Sequence, residues 1–294
     1  MQGARQVELV QHAPKARMRF VAPERTELDA RLLAQPLFDE LADDRALLLG
    51  GHWPDLAELN AALGPLQHRK TGMALRLVGQ ELLDDGENYE RRIFERGLIA
   101  TRSANWHDLL NALVWKRFPA IKSALNAGQV EDMARVGLQQ RTRRQCALTQ
   151  FDEAGAVLVL RDPDLLALWD AHDWIGLFLL QRQAWNDGRV QLRVFGHALF
   201  EHALNPAMLL VAKTIVVVDR DGSIATDHID RRIADAISDG ACLGDPQQLR
   251  PLPLSGIPGW HGQRQDQAFY REQPCFRPLR AGRRYPAPCS GFSA

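Results

Sequence analysis

The chain has 294 residues, 46% of them hydrophobic and 24% charged, with 36 basic side chains against 36 acidic ones. That balance excludes intrinsic disorder, and zero net charge argues against a dedicated nucleic-acid binder and against electrostatic anchoring to a membrane. The length allows one large domain or two small ones, with enough buried surface to fold without staples.

Residues 1–25 read as a loosely structured arm. From Leu28 to Leu49 apolar residues recur near helical spacing, broken at Pro36 and stopped by Gly50-Gly51. Trp53-Pro54-Asp55 opens a short helix ending at Gly64, with Pro54 suited to a first turn. Met73–Val78 alternates weakly, as a strand would. Asn105–Phe118 is the clearest helix: Asn105 caps it, Asp108 is an acid in its first turn, and Pro119 ends or kinks it. Its apolar positions, from Trp106 and Leu109 to Trp115 and Phe118, go most of the way round, which assigns it to the interior. A second helix is expected to Leu125, and a third, polar one from Val130 to Arg144.

The pattern changes near residue 146. Ala147–Phe151 and Ala156–Leu160 flank the polar Asp152-Glu153-Ala154-Gly155, which predicts a β-hairpin. Helices over Pro163–His172 and Trp174–Trp185 follow, then a turn at Asn186-Asp187-Gly188 and a strand at Val190–Phe195. Gly196 turns that strand into a helix, His197–Leu204. Ile215–Val218 reads as another strand, closed by a turn at Asp219–Gly222, and Asp227–Ser238 is helical. From Pro251 the chain is rich in Pro and Gly, yet it holds Trp260, Phe269, Tyr270 and Phe276, which are costly to leave in water. This segment is therefore expected to lie over the body, with Arg277 within reach of a carboxylate, and to fray beyond Arg280. No linker-like stretch marks residue 146. The expected fold is a single helix-rich α+β domain over 26–262, with a small, mainly antiparallel sheet. A C-terminal arm, 263–294, packs on it in ordered form and frays at its end.

The four cysteines, Cys146, Cys242, Cys275 and Cys289, show no CxxC spacing, so neither a zinc knuckle nor a thioredoxin motif is indicated. Cys275 and Cys289 share the tail and could bridge in an oxidising compartment. Residues 1–30 carry no apolar signal region, and the longest apolar stretches, Trp174–Leu180 and Ala207–Val218, are too short to span a bilayer. A reduced, cytoplasmic protein is the expectation.

The run Thr101-Arg102-Ser103-Ala104-Asn105-Trp106-His107-Asp108 continues through Trp115 into Phe118-Pro119 and Leu125-Asn126. With it go Tyr89-Glu90, Arg92-Ile93, Phe151-Asp152-Glu153, Phe195-Gly196-His197 with Glu201, Pro258-Gly259-Trp260 and Phe276-Arg277-Pro278. Together, over about residues 50–280, these segments resemble a bacterial family catalogued as domain of unknown function 3025. Cys146 departs from the resemblance, standing where the family's pattern has an aspartate. The resemblance implies no reaction, so function rests on residue chemistry.

Histidine ligates metals and titrates near neutrality, which singles out His107 and His197. His107 with Asn111, and His197 with Glu201, are each four apart on a predicted helix, so each pair shares a face. Two such helices converging would offer imidazole and carboxylate to a divalent metal such as zinc. Asp108 is then a further ligand or the carboxylate that orients a histidine. The competing account makes both histidines core residues tied to backbone carbonyls. The segment His197–His202 fits neither metalloprotease helix pattern. His107-Asp108 is also the dipeptide of helical metal-dependent phosphohydrolases, but nothing selects His52, His68 or Asp152 to complete that set.

Of the 36 basic residues, 31 are Arg and five Lys. Compositional bias is the plainer account of this, anion recognition the sharper one. Arg96, Arg102, Arg141, Arg143 and Arg144 gather around the core helix as a potential anion pocket, while Glu90, Glu95, Asp152 and Glu153 offer them ion pairs. No phosphate-cradling loop, dinucleotide fingerprint or GxSxG elbow is present.

Two readings follow. In the first the protein is a hydrolase for a small anionic substrate. His107 and His197 are metal ligands or general bases, Asp108 and Glu201 assist, Asn111 orients, and Arg102 and Arg143 hold the anion. In the second it is a non-enzymatic binding or scaffold protein whose His, Asp and Asn side chains are hydrogen-bond anchors. Either reading allows a small-molecule ligand, and neither involves nucleic acid or membrane.

Overall fold

The computed structural model describes residues 20–83, 85–219 and 225–289. Most of the N-terminal arm expected at 1–25, and the end of the turn expected at Asp219–Gly222, lie outside those residues. The helical spacing of Leu28–Leu49 is realised as 3-10 turns at Ala30–Ala34 and Pro36–Asp44 leading into α1 (Arg45–Leu49), with the break at Pro36. α2 (Leu56–Leu63) begins one residue after Pro54-Asp55. Asp55 accepts from the Glu58 amide and the Glu58 side chain accepts from the Asp55 amide, so Asp55 is the cap and Pro54 stands outside the first turn. β1 (Arg76–Gly79), α3 (Tyr89–Arg96) and β2 (Leu98–Thr101) form a unit in which the two strands pair in parallel.

α4 (Trp106–Arg117) is the central helix, with Leu109, Leu110, Leu113, Val114 and Trp115 all buried. Asn105 caps it by accepting from the Asp108 amide at 3.0 Å. After Phe118 the chain restarts as α5 (Pro119–Val136), whose free N-terminal amides at Ala120 and Ile121 donate to the Asp230 carboxylate at 2.9 and 2.8 Å. The helix predicted to stop at Leu125 instead runs on. Asn126 and Gln129 are buried with satisfied amides, Gln129 donating to the Gln145 carbonyl and the Thr149 hydroxyl, so these polar positions are interior ones.

The predicted hairpin at Ala147–Leu160 is also corrected. Ala147–Phe151 belongs to α6 (Arg143–Ala154), which starts in a Thr142–Gln145 capping box, and only Gly155–Leu160 is a strand, β3. The third helix expected from Val130 to Arg144 accordingly divides between α5 and α6. α7 (Leu165–Asp170), β4 (Val190–Val194) and α9 (His197–Ala203) follow as expected, whereas the single helix expected over Trp174–Trp185 breaks at Gln181 into a wide π-type turn at Ile175–Leu180 and α8 (Arg182–Asn186). β5 (Val211–Val218), α10 (Thr226–Ser238), β6 (Arg250–Pro253) and α11 (Gln267–Glu272) complete the chain.

The larger sheet has the order β4-β3-β5-β6. β3 pairs antiparallel with β4 and parallel with β5, and β5 pairs antiparallel with β6, so this four-stranded sheet is mainly antiparallel. Every residue of β3 is buried, as a strand covered on both faces requires. The fold is a helix-rich α+β domain, and no described helix is long and apolar enough to cross a membrane.

The C-terminal segment packs by its aromatics. Tyr270 and Phe276 are buried against Phe178 and Phe269 against those two rings, and the Tyr270 hydroxyl donates to the Gly256 carbonyl at 3.1 Å; Trp260 is only half-buried. Arg277 ties down through its carbonyl, which accepts from Trp174 Nε1 at 2.9 Å. Past Arg280 the tail keeps contact. Tyr285 bonds His172 at 2.9 Å, the Pro286 carbonyl accepts from Arg250 at 2.7 Å, and the Cys289 amide donates to the Val216 carbonyl at 3.1 Å. Cys289 lies against Cys242 and not against Cys275, which sits beside Ser255.

Candidate functional site

α3, α4, α5, the end of α6 and the start of α9 enclose a polar cavity of about 290 Å³, lined by His107, Asp108, Asn111, Lys122, Asp152, Glu153 and His197 among others. Two corners of the chain bring its ends together. At the turn from α6 into β3, a Cβ on Gly155 would lie 2.2 Å from the Phe151 carbonyl oxygen. At the turn from β4 into α9, a Cβ on Gly196 would lie 2.5 Å from both the Glu153 carbonyl oxygen and the Gly155 nitrogen. The Gly155 carbonyl accepts from the Phe195 and Gly196 amides at 3.0 and 2.8 Å. Only two residues without Cβ allow this approach, and it sets Asp152 and Glu153 beside His197.

His107 and His197 meet edge to face, with their Nε2 atoms 3.0 Å apart. Glu201, one turn beyond His197, holds His107 Nδ1 at 2.8 Å. His197 Nε2 lies 3.7 Å from the Glu153 carboxylate and its Nδ1 3.9 Å from that of Asp152. His197 is almost fully buried, and its Nδ1 has no hydrogen-bond partner among the described residues. His107, Glu153 and His197 each present a ligand atom within 4.8 Å of the other two.

The electrostatics differ across the pair. The hydrogen bond that His107 Nδ1–H donates to Glu201 outweighs burial and raises the His107 pKa. Burial pushes His197 down to about 3, so this imidazole is neutral and available as a ligand. Burial raises Glu153, and pushes Glu90, on the opposite wall, up to about 7. At Asp152 burial opposes ionisation, but Lys122 and the imidazoles prevail and its carboxyl lies below the usual range. The Lys122 ammonium is itself buried, donating to Asp152 at 2.6 Å and to Asn111 Oδ1 at 2.8 Å. Asn111 in turn donates to the Tyr89 hydroxyl at 3.1 Å.

Of the residues singled out in the sequence, His107, Asp108, Asn111, Arg102 and His197 line this cavity, and Glu201 backs His107 from behind. Asp108 does not face the histidines; it holds Arg102 through Nε at 2.9 Å and Nη2 at 2.8 Å. Arg143 is elsewhere, paired with Asp245. Arg96 and Arg144 are likewise in ion pairs, with Asp85 and Glu87 and with Glu131 and Asp132. His68 is buried and bonded to Asn126 at 3.1 Å, away from the His107–Asp108 pair. Sequence reasoning named Asp152 only as a possible completion of the phosphohydrolase set and, with Glu153, as an ion-pair partner, and it overlooked Lys122. The Thr142-x-x-Gln145 cap was the available signal, since it makes Asp152-Glu153 the last turn of a helix instead of a hairpin loop.

Residues 75–280 match a family described as "Protein of unknown function (DUF3025)". No curated protein and no solved structure matches the chain.

Proposed function

From the premise that the chain belongs to the DUF3025 family, whose name carries no activity, we propose that His107, His197 and Glu153 bind a divalent cation, zinc by donor type, in a hydrolytic site. One observation carries this reading: two imidazoles turn their Nε2 atoms toward each other at 3.0 Å, with His107 Nδ1 held by the Glu201 carboxylate at 2.8 Å and His197 Nδ1 3.9 Å from that of Asp152. In a tetrahedral zinc site with Zn–N near 2.0–2.1 Å, two nitrogen ligands stand about 3.3 Å apart. A carboxylate on the far nitrogen is the usual support of a ligating histidine. Three protein ligands leave one position open, the signature of a catalytic rather than a structural zinc.

A bound cation would polarise an acyl or phosphoryl oxygen and acidify a water. The chain's own residues do the rest. Glu201 fixes the His107 tautomer. Glu90, with its pKa near neutrality, is suited to exchange a proton with substrate. Lys122 and Asn111 form a fixed polar wall. Lys122–Asp152 and Arg102–Asp108 cancel as pairs, and a divalent cation would offset Glu153 and Glu201 together. The open coordination position, with Arg102 beside it, would then take a small substrate by one negative group. Arg102 spends Nε and Nη2 on Asp108 and keeps Nη1 for that group. Four unpaired thiols suit a reducing, cytoplasmic setting, with no part for nucleic acid or membrane.

A metal-free reading has its own support. With His107 raised by Glu201, its Nε2–H can donate to His197, making the pair a buried hydrogen-bond anchor of a binding or scaffold protein. Elemental analysis of protein purified without chelator separates the two. The metal reading expects about one zinc per chain, lost in His107→Ala and His197→Ala variants that stay folded. Negligible metal, with no zinc uptake on titration, would overturn it.

A further inference from the structure

A cleft of about 890 Å³ that shares no lining residue with the His107–His197 cavity is roofed by the C-terminal segment. Strand alternation builds its floor. Ala212 and Thr214 of β5 are fully buried, so Val211 and Lys213 project from the opposite face, with Pro251 of β6 paired beside Lys213. The roof brings Arg277, Arg280 and Arg283 over that face. No carboxylate lines the cleft among the described residues.

Lys213 is the telling residue. It is half-buried, and burial together with the like charge of Arg280 pushes its ammonium below the usual lysine range, with no carboxylate acting on it. A desolvated cation is normally paired, because its burial is otherwise costly. Here the neighbouring charges are of the same sign. Asp245, which acts on Arg283, is already committed to Arg143, Asp170 is committed to Arg250, and Arg283 itself donates to the Gln247 carbonyl at 2.6 Å. The aromatic faces are occupied: Tyr285 has His172 on one side and the Arg250 and Arg283 guanidiniums 5.1 and 4.3 Å from its centroid.

We infer that this cleft is a second ligand site, for a small polyanion bearing linked phosphates, held by Lys213 and by the guanidiniums of Arg277, Arg280 and Arg283. Guanidinium forks match phosphoryl oxygens, and lysine adds a point charge beneath them. The size of the cleft is that of a metabolite pocket, and the chain's zero net charge gives no long-range pull toward a nucleic acid. With phosphates filling the cleft, the arm and the sheet are cross-linked through the ligand, so binding stabilises the fold.

Pyrophosphate is the probe, titrated by calorimetry and by thermal shift on the full chain. Saturable binding of one equivalent with a rise in Tm is expected. Lys213→Met and the exposed Arg280→Gln should each weaken it about tenfold, whereas His107→Ala should leave it unchanged. The inference is overturned by lack of saturation in the millimolar range. It is equally overturned if both cleft variants bind as wild type does, or if binding disappears with His107→Ala, which would move the anion to the other cavity.

Discussion

The Gly196 amide donates to the Gly155 carbonyl at 2.8 Å, and this bond joins the two corners that carry His197 and Glu153. A methyl group at Gly196 has no room, because its neighbours at 2.5–2.6 Å are all backbone atoms. Gly196→Ala should therefore part the corners, destabilise the protein by about 3 kcal/mol and abolish zinc uptake. Denaturant unfolding and metal titration check both halves. Wild-type zinc affinity in a folded Gly196→Ala protein would show that the corner does not set the site.

Glu201 touches no candidate ligand atom; it acts through His107 Nδ1. Its removal should leave the ligand set intact and free the imidazole to rotate. Glu201→Ala is expected to lower zinc affinity about 10–100-fold, and Glu201→Gln, which keeps an acceptor for Nδ1–H, by less. A competition titration with a zinc indicator measures the order. Equal affinities in all three proteins would remove Glu201 from the site.

Lys122 lines the cavity with its side chain only 5% exposed, holding Asp152 and Asn111 together. Lys122→Met leaves a partly buried carboxylate and an amide oxygen without a donor. We expect a loss of about 3 kcal/mol, partly restored in Lys122→Met/Asp152→Asn, where the stranded charge is gone. Urea unfolding of the single and double variants tests this coupling, and strict additivity of their effects would refute it.

Asp230 predicts a pH dependence away from the metal cluster. Burial, with a smaller push from Asp227, raises its carboxyl to about 6 against the opposing pull of the Ile121 and Ala120 amides and of Arg69. In the unfolded chain the value returns to about 3.9. Between about pH 4 and 6 the folded chain keeps a proton that the unfolded chain releases, so this group's contribution to stability falls as pH rises and stays low above that window. The full swing is at most about 3 kcal/mol. Asp230→Asn cannot titrate, so the wild-type-minus-variant difference in Tm should decline from pH 4 to 6. A flat difference would contradict the raised value.

Local signals were the legible ones. The Asn105 cap and the all-round apolar pattern placed α4 to within a residue, and the Gly196 corner placed α9. The i, i+4 pairs put His107 with Asn111 and His197 with Glu201 on shared faces, but a spacing says nothing of which face meets which. The Glu201–His107 bond spans 94 residues and depends on α4 and α9 packing together. Glu153 was missed as a ligand because Ala147–Phe151 is a short apolar run, which periodicity cannot assign to helix or strand. Lys122 left no trace, since a buried lysine on a helix spells like an exposed one. Arg143 shows the converse: sequence neighbourhood put it near the core helix, while its side chain reaches a surface partner at Asp245.

The C-terminal segment offers the last test. Tyr270 and Phe276 cover Phe178, Phe269 packs on both of them, and Trp174 joins the same aromatic group. A chain ending at Gly259 would expose that cluster and lose Tyr270 as donor to Gly256. At about 25 cal/mol per Å² over three rings the loss amounts to several kcal/mol, a large part of a typical domain's stability. That truncation should be insoluble or unfolded. A chain ending at Gly282 keeps the aromatics but loses Tyr285 against His172, the Pro286 carbonyl that serves buried Arg250, and the Cys289 bridge to β5. Arg250 retains Asp170 through Nε at 2.6 Å and Nη2 at 3.0 Å, so it is not stranded. The shorter deletion should therefore fold with a stability reduced by about 2 kcal/mol, and with weaker pyrophosphate binding, since Arg283 goes with it. Thermal melts of both truncations beside the full chain decide the matter: an unchanged Tm in the chain ending at Gly259 would make the arm an appendage with no part in the core.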